Sequence, residues 1–136
     1  MATLFSRTKE SAIRLTLRNE PGATSKLRRA LDHVARASGL AADATFDLRV
    51  AATEALTNAV KGTPEDRVVD VAIEGSDGAV DVEVTDHGGF RPASGIETAL
   101  EAESGRGIPL MLALVDEVEF ASARGRTRVR LRRVSA

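Results

Sequence analysis

Apolar residues fall on every second position between Ser11 and Arg18, with Ile13, Leu15 and Leu17 on one side and Arg14, Thr16 and Arg18 on the other. That period of two predicts a half-buried strand, and Glu20-Pro21-Gly22 stops it. From Ala23 to Ser38 the spacing becomes helical, with Leu27, Leu31, Val34 and Ala35 as the core stripe and Gly39 as the C-terminal stop. A second helix is expected to be capped by Asp43 or Thr45, to carry Phe46, Leu48 and Ala52, and to fade at Gly62-Thr63-Pro64. Alternation returns at Val69, Val71 and Ile73, turns at Gly75-Ser76-Asp77-Gly78, and resumes at Val80, Val82 and Val84, which predicts a hairpin. The chain then runs to Ser104 without a clear period, apart from a short helix expected around Ile96 to Glu101. A further helix is expected from Ile108 to Val115, near Leu110, Leu112 and Leu114. Two last strands follow, Glu117 to Ser122 and Thr127 to Val134, with Val118, Phe120, Val129 and Leu131 inward. Phe46 and Phe120 are assigned to the core. Residues 1–10 are expected to be a loose tail and 11–136 a single domain. The element order predicts an α+β two-layer sandwich, with helices over one face of a mixed sheet.

Two places break this pattern. Asp86 continues the phase of Val80, Val82 and Val84, so an aspartate falls on the core side at a strand end. Burial there costs free energy unless a donor meets the carboxylate. Glu54 and Asn58 lie four residues apart on an otherwise apolar helix (Ala51, Ala55, Leu56, Ala59, Val60), which places them on one face. A carboxylate can take a proton and an amide oxygen can hold a hard cation such as Mg²⁺. Taken alone, the pair is equally a helix with a wet face.

Composition narrows the field. The 43% apolar and 29% charged content is ordinary for a globular chain, and the net charge of −1 argues against a dedicated nucleic-acid binder. The absence of cysteine excludes disulfides, thiolate metal sites and a cysteine nucleophile. The first residues lack the apolar core of a signal peptide, and no apolar run is long enough to span a bilayer. A cytoplasmic protein without membrane contact is expected. His33 and His87 are too isolated for a metal pair, and His87 is assigned to a lid.

Glycines complete the candidate site. Gly88-Gly89 follow Asp86, and Gly105-Arg106-Gly107 open a helix, where freed N–H groups cradle a phosphate and Arg106 adds charge. Asp86 can accept from an exocyclic amine, and Glu54 and Asn58 would face the phosphates. These four pieces describe an adenine-nucleotide site.

Their order and spacing resemble the GHKL ATPase superfamily and, within it, the anti-sigma-factor serine protein kinases of bacterial partner-switching systems. E-A-L-T-N-A-V is similar to the N box, D-H-G-G-F to the first glycine box, S-G-R-G-I-P-L-M to the second, and G-R-T at Gly125–Thr127 to the last. The resemblance implies a Bergerat-type fold that binds ATP with Mg²⁺. It makes Glu54 the general base, Asn58 the magnesium ligand and Asp86 the adenine contact. Gly88, Ser104, Gly105, Arg106, Gly107 and Ile108 would line the lid and phosphates, and Thr127 would close the adenine side. Lys61 stands where the N box often has a histidine, within reach of a phosphate. The implied partners are an anti-anti-sigma (STAS-type) protein, whose serine is phosphorylated, and a sigma factor, which is sequestered. A non-catalytic nucleotide-gated binding module is the rival, and the detached ATP domain of a histidine kinase is disfavoured by the chain's own leading strand.

Arginines at 124, 126, 128, 130 and 132 alternate along the last strand with no interleaved aromatics to stack bases. Asp70, Glu74, Asp81, Glu83, Glu117 and Glu119 share the outward phase on other strands, which suits a charge-laced solvated or homodimer-forming face better than a nucleic-acid surface.

Overall fold

The computed structural model describes residues 11–61, 63, 68–87 and 107–135. The elements in chain order are β1 (Ser11–Leu17), α1 (Ala23–Ser38), α2 (Ala42–Lys61), β2 (Val69–Ser76), β3 (Ala79–Asp86), α3 (Gly107–Leu114), β4 (Glu117–Ala123) and β5 (Arg126–Val134). The strands form one sheet in the order β1-β2-β3-β5-β4. The α+β two-layer sandwich is as expected, but every described pairing is antiparallel, so the sheet is not mixed. Alternation tells which face a residue takes, not which strand lies beside it.

Hydrophobic alternation builds the core. Val69, Val71, Ile73, Val80, Val82, Val84 and Leu131 point to one face and are buried against Leu27, Leu31 and Val34 of α1 and Leu48 and Leu56 of α2. α1 ends as its sequence suggests. Gly39 takes a left-handed φ of 76°, its N–H reaches Arg36 O, and the Leu40 N–H reaches Ala35 O at 3.0 Å. This paired closure satisfies the last carbonyls and buries Leu40. Both hairpins turn on two positive-φ residues, Asp77-Gly78 and Arg124-Gly125. That backbone shape matches the twist of the flanking strands. Gly75 and Ser76 therefore belong to β2 rather than to its turn.

Two expectations about α2 are corrected. The helix already begins at Ala42, so Asp43 lies inside its first turn and accepts the Ala44 N–H at 2.8 Å, while the Thr45 hydroxyl donates back to Ala41 O at 2.9 Å. Phe46 is 61% exposed rather than in the core. The buried stripe runs through Ala44, Leu48, Ala51, Ala52, Ala55, Leu56 and Ala59. At about 100° per residue, Phe46 falls on the opposite side of the helix. Phe120 is half-buried and packs on the core edge. Leu110 and Leu112 of α3 are exposed, while Ile108 and Met111 are buried.

α1 presses closely on the sheet at Gly75. A Cβ there would stand 3.0 Å from Ser38 Cβ and 3.0 Å from Val34 Cγ1, and still closer to the Ser38 hydroxyl. The neighbouring Gly78 N–H also binds Ser38 O at 2.6 Å, which leaves the end of α1 little room to retreat. Gly75→Ala is therefore expected to destabilise the fold by about 1–3 kcal/mol, the usual cost of overpacking. A urea midpoint equal to that of the unchanged chain would contradict this contact.

Candidate functional site

α2 supplies the first part of the site. Its buried stripe faces the sheet, and Glu54 and Asn58, one turn apart, lie half-buried on the flank of that stripe. Lys61 ends the helix and is exposed. The other end of α2 is anchored. Arg133 points inward from β5 and donates to Asp47 Oδ2 at 3.1 Å and to Asp116 Oδ2 at 3.4 Å. Burial would lower the Arg133 pKa, but the hydrogen bonds to Asp47 and Asp116 outweigh it and the net shift is upward. This pairing ties α2, β5 and the turn after α3 into one unit.

β3 and β5 supply the second part. Asp86 closes β3 on the core side at 6% exposure, where the alternation placed it. Its cross-strand neighbours are Val69 on β2 and Thr127 on β5. Thr63, just past the end of α2, lies 3.2 Å from Asp86 Oδ1. The Thr127 hydroxyl is buried and has no hydrogen-bond partner. A buried carboxylate beside an unsatisfied hydroxyl calls for a ligand that carries both a donor and an acceptor. The amidine edge of adenine, an amino group next to a ring nitrogen, offers that pair, so these residues fit the base. The glycine-rich parts fit only in outline. Gly107 is the first residue of α3 and Ile108 is buried in the core. Gly88, Ser104, Gly105 and Arg106 lie outside the described residues.

The structure thus brings Asp86 and Thr127 together and sets Glu54, Asn58 and Lys61 on the last three turns of α2. It does not put His87 in a lid. His87 follows Asp86 and so turns to the open face of the sheet, with Nε2 2.8 Å from Asp70 Oδ2. Thr63 escaped the sequence reading, because Gly62-Thr63-Pro64 signals only a helix stop. Among the described residues no group of three or more His, Cys, Asp or Glu side chains is placed to hold a metal. A Mg²⁺ ion held by one amide would have to take its other ligands from phosphate and water, as Mg²⁺ usually does.

The described open face carries the charges that the sequence assigned to it. Arg130 bridges Asp81 at 3.1 Å and Glu119 at 3.3 Å, and Arg132 meets Asp81 at 2.8 Å. Arg128 stands 3.7 Å from Glu83.

Residues 17–133 match the family described as histidine kinase-like ATPase domain. The curated proteins hold no match to the chain. Among solved structures, the fold is similar to the crystal structure of the RsbU and RsbW domains of Rv1364c from Mycobacterium tuberculosis, with a TM-score of 0.68 and 23% identity. That match covers 91% of this chain and 32% of the other, so this chain spans about a third of that protein's length. It is also similar to the SiaB-SiaC complex from Pseudomonas aeruginosa, with a TM-score of 0.62, 14% identity, and 98% and 94% of the two chains covered. At these identities the likeness is one of fold. Among the described residues no helix is long and apolar enough to cross a membrane.

Proposed function

The chain belongs to the histidine kinase-like ATPase domain family, and on that premise we propose that it is an ATP-dependent serine kinase and anti-sigma factor of a cytoplasmic partner-switching system. The observation that carries this reading is the buried Asp86 beside the unsatisfied Thr127 hydroxyl, on the strands over which α2 lays Glu54 and Asn58. Membership of the family implies a nucleotide; the kinase step, the Mg²⁺ and the partners are the proposal. ATP supplies the phosphoryl group. Asp86 accepts the adenine amino group, and Thr127 donates to the ring. Asn58 holds Mg²⁺ through its side-chain oxygen, and Lys61 reaches a phosphate. Gly88, Ser104, Gly105, Arg106, Gly107 and Ile108 contribute the phosphate loop and the start of α3. Glu54 takes the proton from the serine Oγ of a STAS-type partner as that oxygen accepts the phosphoryl group. Phosphoryl transfer depends mainly on positioning and charge neutralisation, so this small set is enough. The partners are supported by the resemblance in the boxes and by neighbours whose titles pair RsbU with RsbW and SiaB with SiaC. The test is transfer of labelled phosphate to a STAS-type partner. ATP binding with no transfer at all would favour the nucleotide-gated binding module.

A homodimer through the open sheet face is part of the same proposal. At one end of that face Glu74, Asp81 and Glu117 outnumber Arg132, and at the other Arg126, Arg128 and His87 outnumber Asp70. Two copies stacked with strands antiparallel lay acidic ends over basic ones. A dimer mass is expected by light scattering at tens of micromolar with ATP, weakening as salt rises because the exposed pairs are screened. A monomer at low salt would contradict it.

A further inference from the structure

The end of α2 and the base-binding carboxylate share one proton. The Thr63 N–H bonds Val60 O at 3.2 Å and closes the helix. The Thr63 hydroxyl lies 2.7 Å from Ala59 O and 3.2 Å from Asp86 Oδ1. A hydroxyl has a single hydrogen to donate, and here it stands between a carbonyl of the last helical turn and a carboxylate that is 6% exposed. The contact spans 23 residues of sequence and joins the helix that carries Glu54 and Asn58 to the strand that ends in Asp86. Carboxylate planes rotate about their terminal bond with little resistance, so one fixed contact at Oδ1 decides where Oδ2 points. Thr127, across the pair, is the other hydroxyl at this place, and its own hydrogen is uncommitted.

We infer that Thr63 is a positioning residue for Asp86: its hydroxyl sets the carboxylate plane to receive a 6-amino group, and so sets the preference for adenine over a 6-oxo purine. The inference rests on the nucleotide reading above and goes beyond it in naming what orients the carboxylate. A hydroxyl that served only to finish α2 would affect all nucleotides alike, since the helix end knows nothing of the base. A hydroxyl that aims Asp86 would affect the amino-purine alone.

The experiment is calorimetric titration of the whole chain with ATP and with inosine triphosphate, for the unchanged protein, Thr63→Val and Thr63→Ser. Thr63→Val keeps the shape and removes the donor; Thr63→Ser restores it. The expected result is ATP binding weakened about fivefold to thirtyfold in Thr63→Val, as for loss of one hydrogen bond to a charged group. Inosine triphosphate affinity should move less than about twofold, on the rule that only a bonded group is missed. Thr63→Ser should return to the unchanged value. Should Thr63→Val fail to fold by circular dichroism, Thr63→Ala is compared in the same way. Equal losses for both nucleotides, no loss for either, or tighter ATP binding would overturn the inference. An unchanged protein that binds neither nucleotide, or binds both equally, would overturn the nucleotide reading itself and this inference with it.

Discussion

Glu54→Gln is expected to lower phosphoryl transfer to a serine-bearing partner by roughly 10²–10⁴-fold, the usual contribution of positioned general-base catalysis. Glutamine keeps the length and the accepting oxygen of glutamate but has no basic lone pair to take the serine proton. ATP affinity should stay within about twofold, because on this account Glu54 faces the acceptor hydroxyl and makes no contact that the nucleotide would miss. Stability should also hold. Glu54 is half-buried on the flank of α2, outside the stripe that packs on the sheet. Single-turnover transfer of labelled phosphate, run beside a binding titration of the same variant, separates the two effects. If Glu54→Gln transfers at the unchanged rate, Glu54 is a residue of a wet helix face and the base lies elsewhere.

Asp86→Asn is expected to weaken ATP binding by about 1–3 kcal/mol, the range for a hydrogen bond to a charged group. The amide keeps an oxygen within reach of Thr63, so the contact that orients the side chain survives. It also brings an NH₂ group to a place where the incoming base presents a donor, and two donors facing each other in a buried site leave both unsatisfied. The fold itself should lose little, since the substitution removes a charge from a site that is 6% exposed. Displacement of a fluorescent ATP analogue measures the affinity, and a thermal melt without nucleotide measures the fold. A folded Asp86→Asn chain that binds ATP as before would place the base in some other pocket.

The strand and helix pattern was legible because burial follows period. Alternation put Asp86 on the core side, and the structure finds it there with Val80, Val82 and Val84. Gly39 announced the end of α1 because a left-handed closing residue favours glycine. What alternation could not announce was neighbourhood. It gave the faces of β1 to β5 but not their antiparallel order. Phe46 was assigned to the core on hydrophobicity alone, although its distance from Ala44 and Leu48 around the helix already turned it away from the sheet. His87 was assigned to a lid, although the same alternation that buried Asp86 turns the next residue outward to Asp70. Arg133 was hidden behind the alternating arginines at 124 to 132; the visible signal was two arginines in succession, one of which must point inward. Thr63 gave no sequence signal. A threonine between glycine and proline is a helix stop, and only the meeting of α2 with β3 makes it a neighbour of Asp86.

The most direct test of the central claim is a calorimetric titration of the unchanged chain with ATP in the presence of Mg²⁺. The account expects saturable binding at one site per chain, lost or much reduced when Asp86 carries the amide. A folded protein that takes up no ATP would contradict it.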